Sequence, residues 1–491
     1  MSEKRVLKNI NPERVMYYFE EISKIPHGSG NTRKISDFLV EFAKENKLEY
    51  IQDESGNVII FKNGYKGYEN SPSVIIQGHM DMVCEKEADS IINFEKDGLE
   101  LIVEENCIHA NKTTLGGDDG IAVAYALAIL ESKEIPHPPL EVVITVDEEI
   151  GMLGATALDC SSLKSKIMLN LDSEDEGHLL VSCAGGATVN LKYDADYEVV
   201  QNGILSVIEI GGISGGHSGM EIIKQGANAA KLMGRLLYAI SEETDVRINS
   251  LNAGEKDNAI PRLANASVFF ASEDEFEKAQ SVVESYNQIF YKEYKNTDEN
   301  IYAHILKPVK IGCKCMTKES SKTTIAMLNT VPNGVKKMSR EIEGLVQTSL
   351  NLGIARTEDN KTNQTVCLGF SVRSSVDSEK KELIYGLKNL AQVLGVLFFV
   401  SGDYPAWEYK EDSVLRNLMF DIYKEMYDKE PVIDAIHAGV ECGIFAGKLE
   451  GLDCVSIGPD MNDIHTPKET IFIDSIERTW NYILEILKRL K

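Results

Sequence analysis

No window of this 491-residue chain holds the roughly 18 consecutive apolar residues of a membrane-spanning helix. No apolar core of signal-peptide length follows the charges of "MSEKRVLKNINPERVMYYFEEI" either, so a soluble, cytoplasmic protein is expected. Positive charge is scarce. Against 77 Asp plus Glu stand only 51 Lys plus Arg, and the net charge of -26 repels nucleic acid and anionic membrane surfaces. A small or peptidic partner is the expectation that remains. Paired C-x-x-C spacing is missing too: the nine cysteines (Cys84, Cys107, Cys160, Cys183, Cys313, Cys315, Cys367, Cys442 and Cys454) are odd in number and scattered, which favours reduced thiols.

At 43% hydrophobic content the chain is too long for one ordinary core, so two or more domains are expected. From Asn11 to about Glu45 the pattern is helical, with Asn11 as cap and Pro12 at the first helical position. "NVIIFK", "SVIIQGHMDMV", "LEVVITV" and "KIMLNLD" read as strands, and "GIAVAYALAILES" as a helix apolar all round and therefore deeply buried. Such strands between helices predict an α/β fold with a mostly parallel central sheet flanked by helices. Near Gly185 the texture turns to half-buried alternating strands and long amphipathic helices, the signature of antiparallel α+β. The first texture returns in "DSVLRNLMFDIYKEMYDK", "LDCVSIGP" and "DSIERTWNYILEILKRL". The expected organisation is a discontinuous domain of residues 1–186 and 396–491 with an inserted α+β domain of 187–395, built of two successive strand–helix units.

Four chemistry-bearing stretches sit just past the ends of predicted parallel strands, where open α/β sheets place ligands. They are "GHMD" (His79, Asp81), "GGDDG" (Asp118, Asp119), "VDEEIG" (Asp147, Glu148, Glu149) and "NLDSEDEG" (Asp172); "GPDMNDIHTPKE", with His465, follows the last strand. Singly, each has an ordinary explanation: a helix cap, a turn, a solvated loop, a structural histidine. Jointly they are another matter, because converging carboxylates repel unless cations sit among them. A pair of divalent metals sharing one carboxylate needs a set of this kind, and one further carboxylate is left to act as base.

"VIIQGHMDMV", "TLGGDDGIAVAYALAIL", "VDEEIGMLGA", "LDSEDEGHLLVSCAGG", "GGHSG", "DNAIPR", "SVRSS", "YPAWE", "HAGVECGIF" and "GPDMNDIHTPKE" resemble, in order and over nearly the whole chain, the aminoacyl-histidine (Xaa-His) dipeptidases of the dinuclear zinc M20 metallopeptidases. The resemblance implies a zinc-exopeptidase-like catalytic domain, an inserted lid, two divalent ions per chain (zinc, with manganese or cobalt also suited to N/O sites), a small peptide substrate and a homodimer. It implies His79 and Asp172 at one metal, Glu149 and His465 at the other, and Asp118 as the bridge, although Asp119 stands where the dipeptidases often have Asn. Asp81 would hold the His79 tautomer. Glu148 would be the general base, taking a proton from the water between the metals. In the insert, His217 resembles the histidine that steadies the tetrahedral oxyanion, Asn258 and Arg373 resemble contacts to substrate termini, and Gly439 would let backbone approach the substrate. The plainer readings are a helix start for His217, a turn cap for Asn258 and a surface ion pair for Arg373; the role of His437 stays open.

Other activities share this ligand set: tripeptide aminopeptidase, carboxypeptidase and N-acyl amino acid deacylase. Two alternatives come from different classes. "GISGG" matches the G-x-S-x-G elbow of a serine hydrolase with Ser214 as nucleophile, and a metal-stabilised peptide-binding protein without turnover would keep the ligands but lose the base, which is present here as Glu148.

Overall fold

The computed structural model describes residues 5–359 and 364–491. The chain divides into two compact units, one of residues 1–182, 409–435 and 440–491, the other of residues 183–408 and 436–439.

The first unit is built on an eight-stranded sheet in the order Glu49–Gln52, Val58–Lys62, Leu140–Thr145, Val74–His79, Ile167–Asn170, Asp453–Ser456, His178–Cys183 and Val432–Ile436. Its middle four strands pair in parallel. Towards the edges the pairing is antiparallel, because Glu49–Gln52 and Val58–Lys62 form a hairpin over a short turn and need no crossover helix. Val74–His79 and Leu140–Thr145 are buried at every position, the burial expected of strands covered on both faces. Gly117–Glu131 is the helix that is apolar all round, buried from Gly117 to Leu130. The helical pattern at the N-terminus resolves into two helices, Glu13–Ser23 and Arg33–Glu45. Pro26, Gly28 and Gly30 lie between them and break the run. Pro12, not Asn11, occupies the cap position, and it makes no side-chain cap bond.

In the second unit a sheet runs in the order Tyr302–Ile305, Ile204–Gly211, Ala264–Phe270, Arg247–Ala253, Val346–Asp359, Gln364–Ser374, Gly185–Ala195 and Leu397–Tyr404. Its neighbours pair antiparallel. Alternation sets the two faces apart. Ala187, Val189, Leu191, Leu350 and Val372 join one core with residues of helices Ala229–Glu243, Lys318–Thr330 and Asp377–Leu394, which leaves Gly186, Thr188, Ser349 and Arg373 on the opposite face.

Candidate functional site

Three adjacent parallel strands of the first unit deliver His79, Glu149 and Asp172, whereas Asp118 lies at the start of helix Gly117–Glu131, after the antiparallel strand Cys107–Ala110 and not, as expected, at the end of a parallel one. Val74–His79 ends on His79, Leu140–Thr145 stops just short of Asp147 to Glu149, and Ile167–Asn170 stops two residues before Asp172. His79 Nε2 lies 3.1 Å from Asp118 Oδ1 and 3.5 Å from Asp172 Oδ1. His465 Nε2 lies 3.0 Å from Asp118 Oδ2 and 2.9 Å from Glu149 Oε1. Asp118 therefore gives one oxygen to each imidazole, and each imidazole has a second carboxylate of its own.

The electrostatics call for positive charge. Hydrogen bonds to Asp118 and Glu149 push the His465 imidazole up to about 10. Burial opposes the same shift at His79, but Asp172, Asp118 and Asp81 together raise it. Burial works to raise Asp118 as well, yet the two imidazoles hold its carboxyl well below the usual range. Two ring nitrogens and three carboxylates drawn together in this way fit divalent metals that accept nitrogen and oxygen ligands. Ligand atoms of His79, Asp118 and Glu149 lie within 4.8 Å of one another, and so do those of His79, Asp119 and Asp172. Asp119 is also occupied otherwise: its Oδ2 accepts the His79 backbone N–H at 3.1 Å.

Asp81 does more than face the imidazole. His79 Nδ1 is 3.0 Å from the Asp81 carbonyl and 3.5 Å from its carboxylate, while that carboxylate accepts the Glu148 N–H at 3.0 Å, the Glu149 N–H at 3.4 Å and the Ser29 hydroxyl at 2.8 Å. It thereby fixes the turn in which the three acids of "DEE" diverge. Asp147, in the left-handed region at φ +54°, turns away to the Gly30 N–H at 2.7 Å. Glu148 belongs to neither imidazole pair. Burial, with Asp172, Glu441 and Glu149 nearby, pushes its carboxyl up to about 9 against the pull of His79.

The sequence reading missed two supports. A polar chain crosses the three strands beneath the ligands: Asn170 Nδ2 donates to Gln77 Oε1 at 2.5 Å, Gln77 Nε2 to Glu441 Oε2 at 2.5 Å, and Thr145 Oγ1 to the same Glu441 oxygen at 2.6 Å. Gln77 and Asn170 stand two residues before the predicted ligands His79 and Asp172, and Thr145 stands two before Asp147, the first acid of "DEE"; that repeated spacing was the available signal. The second support is Glu469, at the end of "HTPKE". It accepts the N–H groups of Leu115 at 2.7 Å, Gly116 at 3.2 Å and Gly117 at 2.8 Å, tying the loop of His465 to the loop of Asp118. Glu469→Gln replaces one acceptor with a donor facing those amides, so metal affinity should fall about tenfold or more in a metal-buffer titration, with the fold retained by circular dichroism.

In the second unit, strand Gly216–His217 pairs with Ala259–Ile260, and the Asn258 carbonyl accepts the Ser218 N–H at 2.8 Å, so His217 and Asn258 share one corner. His217 is a helix start as well, its Nδ1 accepting the Gly219 N–H at 3.3 Å. That bond leaves Nε2 as the ring donor. Arg373, 8% exposed, is paired with no carboxylate among the described residues. Ser214 is exposed, with its hydroxyl on the Thr297 carbonyl at 3.3 Å and its N–H on Asp298 at 2.8 Å; no histidine is among its hydrogen-bond partners in the described residues, and the serine-hydrolase alternative is not favoured.

A family model described as peptidase family M20/M25/M40 matches residues 75–489. The chain belongs to this family. It is 36% identical over 485 residues, covering 99% of each chain, to the cytosol non-specific dipeptidase of Escherichia coli strain K12. Among solved structures, aminoacylhistidine dipeptidase from Vibrio alginolyticus superposes with a TM-score of 0.91 at 34% identity, over 98% of this chain and 97% of that one. Aminopeptidase PepT from Bacillus cereus, at 17% identity and TM-score 0.59 over 98% of this chain and 99% of that one, shares the fold. This M20 peptidase is accordingly a metal-dependent peptide hydrolase with an α/β fold. No described helix is long and apolar enough to cross a membrane.

Proposed function

We propose that this chain is a broad-range dipeptidase, accepting Xaa-His among other dipeptides, that works with two divalent metals, zinc first among the candidates. The observation that supports it most is the Asp118 carboxylate lying between His79 and His465, each of which has a further carboxylate in Asp172 or Glu149. His79, Asp118 and Asp172 would hold one ion and His465, Asp118 and Glu149 the other. When bound, the metals polarise the scissile carbonyl and lower the pKa of water at the site. Glu148, which faces neither imidazole, would take the proton from water and pass it to the leaving amine. Asp81 keeps the Glu148 turn in place. Residues of the second unit would recognise the substrate: His217, through Nε2–H, stabilises the developing oxyanion, Asn258 holds one terminus of the substrate, and Arg373 takes its carboxylate.

A cytosolic location, in line with the name of the E. coli relative, and a homodimer complete the proposal; light scattering of the purified protein reads the dimer. The decisive assay is hydrolysis of simple dipeptides before and after dialysis against a chelator. Activity should vanish with the metal and return with added Zn, Mn or Co. Faster cleavage of longer peptides, or turnover that resists the chelator, would overturn the reading.

A further inference from the structure

"YPAWE" is among the ten motifs of the resemblance, yet the site described so far gives it no task. Its first residue lies beside Arg373. Ser349, Arg373, Gly186 and Tyr404 are successive cross-strand partners, one on each of four neighbouring strands. Directly paired residues share a face, so they form one row on the polar side of the sheet.

Tyr404 reaches that row through an irregularity. Ser401 pairs with Thr188, but the next pairing is Tyr404 with Gly186, so the strand Leu397–Tyr404 carries one extra residue there. Gly402, at φ +58°, lies in the bulge. Without it Tyr404 would fall opposite Gly185 and point to the other face. The ring then needs room, and two glycines provide it. A Cβ on Gly186 would stand 2.5 Å from the Tyr404 hydroxyl oxygen, and one on Gly439 would stand 2.6 Å from the ring. Tyr404 thus makes a close approach at Gly439. The turn itself is fastened by buried Lys380, which donates to the Tyr404 carbonyl, and by Asp377, which accepts the Ala406 N–H at 3.2 Å.

Arg373 Nη1 donates to the Tyr404 hydroxyl at 3.2 Å, and Arg373 Nε has no hydrogen-bond partner among the described residues. On the other side of Arg373, the Ser349 hydroxyl is engaged by His437 Nε2 at 2.7 Å. Burial, reinforced by the Arg373 charge, pushes the His437 imidazole down to about 3 and keeps it neutral. Both neighbours in the row are uncharged, so a buried guanidinium is oriented without being neutralised, a costly arrangement unless an anion completes it.

We propose that Tyr404 is a positioning residue: its hydroxyl, carried into the row by the bulge and seated between Gly186 and Gly439, fixes one edge of the Arg373 guanidinium so that the remaining N–H groups meet the substrate carboxylate. The inference rests on the dipeptidase reading and says what makes that activity selective for a free C-terminus.

The test compares a dipeptide with its C-terminal amide, using the metal-loaded enzyme. Tyr404→Phe should raise KM for the free acid about tenfold with kcat within about twofold, and leave both constants for the amide unchanged. Gly439→Ala, which displaces the ring but keeps the hydroxyl, should reproduce the same loss of acid-over-amide preference. A merely structural role would change acid and amide alike, and that result, or no change in either, overturns the inference. If the wild-type enzyme binds acid and amide equally, the carboxylate role of Arg373 falls and this inference with it. A wild type that cleaves no dipeptide at all removes the underlying reading.

Discussion

Glu148→Gln should lower kcat for dipeptide hydrolysis by about 10²–10⁴ while metal content, read by elemental analysis, stays at the wild-type level. The two halves of that expectation have separate sources. Activity falls because the amide cannot accept a proton, and the three carboxylates that face the imidazoles are not free to substitute: Asp172 faces His79, Glu149 faces His465 and Asp118 faces both. Metal is retained because Glu148 pairs with neither imidazole, and its place in the turn is set by its backbone N–H on Asp81 rather than by its side chain. Removing one negative charge from a crowded cluster also relieves repulsion, so the fold does not suffer. Metal lost together with activity would make Glu148 a ligand and undo the assignment of the base.

The ligand-bearing strand ends were legible in the sequence because a continuous Val/Ile/Leu run that stops at His79, or just before Asp147 or Asp172, marks both a buried parallel strand and its functional end. What joins those ends was not. Glu441 looks like one acid at the start of an ordinary helix, and Glu469 like one acid in a loop, since their partners lie some 350 residues away in the chain. Tyr404 was hidden for another reason. Counting by twos from Leu397 sends it to the wrong face, and only the extra residue before it, invisible to a pattern of period two, restores it. The N-terminal helices failed on a local rule: helical apolar spacing recurs on both sides of "KIPHGSG", but proline and glycine interrupt the backbone between them.

Asp118→Asn should abolish both activity and stoichiometric metal binding, weakening metal affinity by at least about a hundredfold, whereas Asp119→Asn should leave most of both. The two neighbours are both buried acids, and both belong to groups whose ligand atoms lie within 4.8 Å, so composition and burial do not separate them. Geometry does. Asp118 needs two anionic oxygens, one 3.1 Å from His79 Nε2 and the other 3.0 Å from His465 Nε2; an amide offers one oxygen and turns N–H groups towards the second position, where a cation belongs. Asp119 needs one acceptor for the His79 N–H, and the carbonyl of Asn supplies it. Thermal melts supply an independent reading, since a ligand that binds only the folded state stabilises it by about 4 kcal/mol at a thousand times its Kd. The metal-dependent rise in Tm should disappear in Asp118→Asn and persist in Asp119→Asn. The reverse pattern would move the bridge to Asp119 and break the symmetric division of the cluster into two half-sites.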